Sequence, residues 1–271
     1  MKTILLHVYG DDGQASRVRA AVKLARAFEG TIQCVQVSPL NSYVVTEPFG
    51  GMYMVGQLFD ALERQSRKDK AAVDVQISAT GIAYEWIGFD GGVSQSIISG
   101  SRLSDLIVMS RIADKESHRR PPIPIASDVA LHARTPVLCL PVDSAASFDP
   151  AAPAVIAWNG SPEAANALRA TVPLLAVASS VAIATVNSDD DEFPAARAIA
   201  YLALHGISAN HYSIEESDSS VADSLTKSAL SLGAGYIVMG AYGHSRLREA
   251  VLGGVTRSML EHCPLPLVLT H

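Results

Sequence analysis

One pattern occurs twice in the chain. Asp105-Leu106-Ile107-Val108-Met109-Ser110 is echoed by Gly235-Tyr236-Ile237-Val238-Met239-Gly240. Ala133-Arg134-Thr135-Pro136-Val137-Leu138-Cys139-Leu140 is echoed by Cys263-Pro264-Leu265-Pro266-Leu267-Val268-Leu269-Thr270. A repeat on this scale means two similar domains of roughly 140 residues, each in the ordinary domain size range. Short apolar runs bounded by Gly, Pro or polar residues read as buried strands. The chain must therefore fold as two copies of one strand-rich pattern.

Around these anchors, strands alternate with segments of helical spacing. The first copy predicts strands over 4–9, 31–37, 83–89, 106–109 and 136–141. Val18, Ala21, Val22, Leu24, Ala25 and Phe28 mark a helix over 16–28, with Gly30 as its stop. A longer helix carries Leu58, Leu62 and Val73. Its Arg64, Arg67, Lys68 and Lys70 read as a solvated face. Further helices run through Ile97 and Ile98 and over about 125–133. Residues 40–55 read as a loop that covers a pocket or a partner surface. The second copy predicts strands over 154–158, 181–186, 210–214, 236–239 and 265–270. Ser161 caps a helix with Pro162 at its first position, and helices follow over about 194–205 and 221–232. Asp189-Asp190-Asp191-Glu192 is an acidic loop that suits a helix N-terminus; a metal site is the alternative. The result is an α/β chain with parallel sheets covered on both faces. Small residues and prolines over 143–153 read as a linker, so the domains are 1–142 and 154–271.

Composition narrows the function. Apolar residues make up 48% of the 271 residues, and the formal charge is −6. A mildly acidic chain does not present a general nucleic-acid surface. No stretch reaches the roughly 20 apolar residues that cross a membrane, and the apolar run after Met1 is too short for a signal peptide. Cys34, Cys139 and Cys263 have no metal-type spacing,. The first two read as core residues, and reduced thiols fit the cytoplasm. A metal or redox role for Cys263, between His262 and Pro264, is the alternative.

The copies differ after their fourth strand. In the second, Met239-Gly240 leads into Gly243, His244 and Ser245, then to Gly253-Gly254-Val255-Thr256-Arg257. Glycines let a backbone approach a ligand, and a helix opening there offers unpartnered N–H groups to an anion. Arg246, Arg248 and Arg257 face one acid, Glu249, in this window. The first copy has Ser110 at the first glycine, and Arg119-Arg120-Pro121-Pro122 where a cradle would be. Prolines bring no N–H.

The order Gly240, Gly243, Gly253 resembles the nucleotide loop of the universal stress protein family, and the repeat extends the resemblance over nearly the whole chain as a tandem form. The resemblance implies doubly wound five-stranded domains of order 3-2-1-4-5, similar to adenine nucleotide alpha hydrolases. It implies ATP or ADP, with Mg²⁺ on its phosphates, bound by the second copy in a regulatory role. The first copy then serves as partner in a built-in pseudo-dimer, its fifth strand against that of the second; a homodimer of the chain is a further expectation. Phosphates would rest on N–H groups from Gly243 to Ser245 and from Gly254 to Thr256, beside Val255. Ribose would lie near Met239 and Gly240, and the base near Asn159 and Val186. Arg246 or Arg257 would offset the charge. The family has Ser or Thr where Gly254 stands, and Thr256 is the nearest hydroxyl. It also has an acid where Tyr9 and Asn159 stand. His244 reads equally as a phosphate contact or a surface residue. Trp158 reads as packing before base stacking. A scaffold without nucleotide and a slow ATPase are the other readings; no nucleophile, base and orienting group assemble in the sequence.

Overall fold

The computed structural model describes residues 1–38, 52–111, 124–141, 147–187, 193–215, 220–241 and 254–271, with the side chains of 52–59 excepted. In the first half the elements are β1 (Thr3–Val8), α1 (Gln14–Phe28), β2 (Thr31–Ser38), α2 (Met52–Ser78), β3 (Tyr84–Asp90), α3 (Val93–Gly100), β4 (Leu106–Ser110), α4 (Ile125–His132) and β5 (Val137–Leu140). The second half has β6 (Ala154–Ala157), α5 (Pro162–Leu175), β7 (Val181–Val186), α6 (Ala195–Leu204), β8 (Ala209–Ile214), α7 (Val221–Ser231), β9 (Tyr236–Gly240), α8 (Gly254–His262) and β10 (Leu267–Thr270). The acidic loop 189–192 lies outside the described residues. So do 142–146 of the linker. The loop expected over 40–55 ends by residue 51, because Met52 already begins α2.

All ten strands form one sheet of order β3-β2-β1-β4-β5-β10-β9-β6-β7-β8. Each half therefore contributes 3-2-1-4-5, as expected. Within each half the pairs are parallel, as at Leu5↔Ile107 and Val155↔Ile237. β5 and β10 pair antiparallel, with Leu267↔Cys139, Val268↔Leu138 and Leu269↔Val137. In the repeat Val137, Leu138 and Cys139 match Leu267, Val268 and Leu269. The register is thus self-complementary, and the pseudo-twofold axis passes through the Leu138↔Val268 pair. Each half alone would expose this strand as an unpaired edge; joined, both strands are wholly buried.

The central strands are apolar on both sides because helices cover both faces. α1, α2, α5 and α6 pack Leu24, Ile77, Leu168 and Leu202 onto one face. α3, α4, α7 and α8 pack Ile97, Val129, Leu225 and Met259 onto the other. Cys34 and Cys139 are core residues, and burial pushes both thiols up to about 12. They stay protonated and inert at neutral pH. Helix α1 ends differently from expectation. The left-handed residue is Glu29, at φ 48. Gly30 follows it and is small for another reason: a Cβ there would lie 2.7 Å from the Lys2 carbonyl oxygen.

Beyond the strand seam, the linker and Arg111 make further contacts with the second half. Phe148, in the segment read as a linker, is buried with its ring 5.3 Å from that of Tyr236. Residues 147–153 therefore pack onto the core instead of spanning solvent. Arg111, directly after β4, reaches α8. Its guanidinium donates to the carbonyls of Met259 at 2.9 Å, Leu260 at 3.1 Å and Cys263. Leu260 lies in the last turn, whose carbonyls lack intrahelical partners, and the Met259 carbonyl also accepts the Cys263 N–H, so the first half caps a helix of the second.

Candidate functional site

In an open parallel sheet, ligands sit beyond the carboxyl ends of the strands, where the strand order reverses. In the second half that point lies between β6 and β9. The chain leaves β6 through Trp158 and Asn159. Trp158 is 4% exposed and donates from Nε1 to the Phe193 carbonyl at 3.1 Å. It is a packing residue, and its ring does not lie open for a base. Asn159 is exposed, and its Oδ1 accepts the Ser161 N–H at 3.2 Å, a local turn before the helix. Ser161 then caps α5, accepting the Ala164 N–H at 3.1 Å, with Pro162 at the first position. Val186 ends β7, half-buried against the second core layer. Asn187 follows it with φ 73.

Gly240 closes β9, opposite Thr270 of β10. A Cβ at Gly240 would lie 2.6 Å from the Ala164 nitrogen and 2.9 Å from the Glu163 Cβ. The close approach at this glycine is made by the first turn of α5. Sequence reasoning assigned the approach to a ribose; the structure shows that packing already requires the glycine. Gly240→Ala is therefore expected to cost about 1–3 kcal/mol, as overpacking against rigid backbone does. Urea unfolding checks this. An unchanged midpoint would contradict the close packing.

Gly254 opens α8 and is exposed, with no atom of the described residues within 4 Å of where a Cβ would stand. Val255 beside it is 38% exposed. Thr256 is 5% exposed, so its hydroxyl lies among protein atoms and not on the helix surface. Arg257 is exposed and donates from Nε to Glu261 Oε1 at 2.8 Å. Met239 is buried in the strand. The structure thus brings Asn159, Val186, Met239 and Gly240 to one end of the sheet. Gly243, His244, Ser245, Arg246, Arg248 and Gly253 lie outside the described residues.

One residue escaped the sequence reading. Glu163, in the first turn of α5, sits against Gly240, and its Oε2 is buried without a hydrogen-bond partner. Nothing local in the sequence distinguished it from an ordinary acid at a helix N-terminus.

The first half is built differently at the same place. Arg17, 1% exposed, donates from Nε to the His7 carbonyl at 3.0 Å and from an Nη to Ser110 Oγ at 2.9 Å. The other Nη donates to the Tyr9 carbonyl, and Asp11 Oδ1 lies 2.7 Å from the Nη that meets Ser110. A guanidinium thus joins the ends of β1 and β4, where the second half has Asn159 and Gly240. Ser110 is its acceptor, so a bulky change at Ser110 is not silent.

Comparison with known proteins agrees with this asymmetry. A model of the universal stress protein family matches residues 145–271. The second half is thus similar in sequence to that family. No curated protein matches the chain. A universal stress protein from Archaeoglobus fulgidus DSM 4304 is 18% identical, with TM-score 0.76, over 99% of this chain and 97% of that one. A functionally unknown protein from Pseudomonas aeruginosa PAO1 is 14% identical, with TM-score 0.57, over 100% of this chain and 92% of that one. At such identities the likeness concerns the fold, and it extends the universal stress protein architecture to both halves. The family match itself covers only the half with the glycine-spaced loop.

Proposed function

We propose that the second half binds one adenine nucleotide, ATP or ADP, and that the protein regulates instead of catalysing. The observation that carries this reading is the opening of α8. Gly254 is exposed at a helix N-terminus, clear of the other described residues, and N–H groups there lack intrahelical partners and favour a phosphate,. The glycine-spaced segment from Gly240 to Gly253 leads directly into it. Glu163 Oε2 supplies the acceptor that Asn159 does not: a buried carboxylate oxygen without a donor suits a ribose hydroxyl or the cation that accompanies the phosphates,. The first half, closed by Arg17, serves as the partner in the internal pseudo-dimer. This reading keeps the domains at 1–142 and 154–271, joined by 143–153. It places the protein in the cytoplasm, where the three free, buried cysteines stay reduced,. Among the described residues no helix is long and apolar enough to cross a membrane.

A scaffold reading without nucleotide draws on Arg257, already paired with Glu261, and on Thr256, which is buried. A slow ATPase ranks third, because Asn159 cannot act as a general base. Calorimetric titration with ATP separates the first two. Wild type is expected to bind one nucleotide per chain, and Gly253→Val none. Gly254→Ser adds a hydroxyl in open space and is expected to tighten binding about 10-fold, since a hydrogen bond to a charged group contributes roughly 1.5–3 kcal/mol. No heat from wild type at millimolar ATP would leave the scaffold. Equal binding by Gly253→Val would put the ligand elsewhere.

A further inference from the structure

The antiparallel seam brings the end of β10 beside the start of β5, through the Leu269↔Val137 pair. A cleft of about 410 Å³ opens there, lined by Arg134 of the first half and by Asn166, Arg169, Tyr201 and Thr270 of the second. The volume falls in the range of small-molecule sites, roughly 300–1,000 Å³. Its chemistry is one-sided. Arg134 and Arg169 are both exposed, and neither has an ion-pair partner among the described residues. Ala170 and His271 complete the lining, and no Asp or Glu side chain belongs to it. Asn166 and Tyr201 bring an amide and a phenol, both able to donate. Two unpaired guanidiniums meeting across a seam are unexpected in a chain of net charge −6.

A second observation points the same way. Thr270 is 5% exposed, and its Oγ1 is buried with no hydrogen-bond partner. Buried hydroxyls are normally satisfied. The Thr270 hydroxyl, in a residue that lines the cleft, is able to donate,. An oxyanion offers acceptors on every side, and guanidinium groups match its geometry with paired donors.

We propose that the seam cleft binds a small oxyanion, a phosphate or the phosphate group of a small metabolite, held by Arg134 from one half and Arg169 from the other. The site exists only in the joined halves, because Arg134 belongs to one and Thr270 to the other. It adjoins the end of β9, where Thr270 pairs with Gly240, and it does not depend on the nucleotide reading. Occupancy would clamp the two halves at their seam and link a cellular anion to the pseudo-dimer.

The test is calorimetric titration of the full chain at low salt, with inorganic phosphate in one arm and ribose 5-phosphate in the other. Wild type and Gly253→Val are expected to bind alike, since Gly253 lies in the other site. Arg134→Met and Arg169→Met are each expected to weaken binding about 10- to 100-fold, as loss of a hydrogen bond to a charged group does. Both residues are exposed, so the fold should tolerate the changes. Thr270→Val keeps shape and removes only the hydroxyl; it should bind several-fold more weakly with no loss of thermal stability, a combination that a purely structural role would not give. Tighter binding of ribose 5-phosphate than of phosphate would identify a metabolite as the occupant, and equal binding the free ion. Absence of heat from wild type at millimolar concentration, or unchanged affinity in both arginine variants, overturns the proposal. Loss of phosphate binding in Gly253→Val alone also overturns it, by assigning the anion to the glycine loop. Phosphate binding that persists where ATP shows none would sink the nucleotide reading and leave this one standing.

Discussion

Arg17→Met is expected to destabilise the protein by about 3–5 kcal/mol, the usual cost of breaking a buried ion pair from one side. Arg17 is 1% exposed and carries a positive charge among the ends of β1 and β4. Burial lowers its pKa, and the neighbouring Asp11 opposes that shift. The charge is tolerated because its donors are used: the carbonyls of His7 and Tyr9, the Ser110 hydroxyl and the Asp11 carboxylate. Methionine fills a similar volume but leaves these acceptors without a donor, each at a cost of about 1–3 kcal/mol when buried. Lysine should recover only part of the loss, since a single ammonium cannot span acceptors that a planar fork reaches together. Ser110→Ala removes one neutral acceptor and should cost about 1 kcal/mol. Urea unfolding of the variants gives the ranking. A loss below 1 kcal/mol for Arg17→Met would mean that the guanidinium is not what closes this end of the first half.

Acid is expected to unfold the protein through His7. The ring is 4% exposed in β1, stacked on Tyr9 at 6.2 Å between centroids. Burial first, and the charge of Arg17 second, lower its pKa from 6.5 to about 3. The folded protein therefore keeps His7 neutral down to about pH 3, whereas the unfolded chain takes up a proton below 6.5. The unfolded state binds more protons in this window, so stability rises with pH across it. The contribution is complete above pH 6.5 and is lost on acidification, at about 1.4 kcal/mol per pH unit. By pH 4 the loss reaches about 3 kcal/mol. The readout is a difference between two proteins that share every other titrating group. His7→Gln should be less stable than wild type at pH 8 and should show a shallower fall between pH 6.5 and 4. Parallel curves for the two proteins would mean that His7 titrates normally in the fold.

The two effects meet at one place. His7 gives its carbonyl to Arg17, and the Arg17 charge helps to keep its ring neutral. This end of the first half is a packed, charged plug. In the second half Gly240 stands at the matching position, and no buried arginine among the described residues fills that end. The difference explains why an anion-binding proposal is made for one copy only.

The family resemblance implied the strand order within each half, and the sequence by itself determined the alternation of strands and helices, the repeat and the Ser161–Pro162 helix start. Those signals are local. A buried strand must be apolar along its run, a helix must repeat its apolar residues every turn, and a cap acts within three residues. Asn159, Val186 and Gly240 could be placed at one sheet end because that position follows from strand order. Tertiary structure alone decided what these residues do there. Gly240 makes room for α5, Thr256 is buried, and Arg257 answers to Glu261. Tertiary structure also turned a lone arginine into a plug, since Arg17 and Ser110 are 93 residues apart. Arg111 and its acceptors in α8 are separated by about 150 residues, and nothing near any of them in the chain records the contact. Local patterns encode how much apolar surface an element must bury. Which polar group fills a particular gap depends on distant segments meeting, and only the packed fold fixes that.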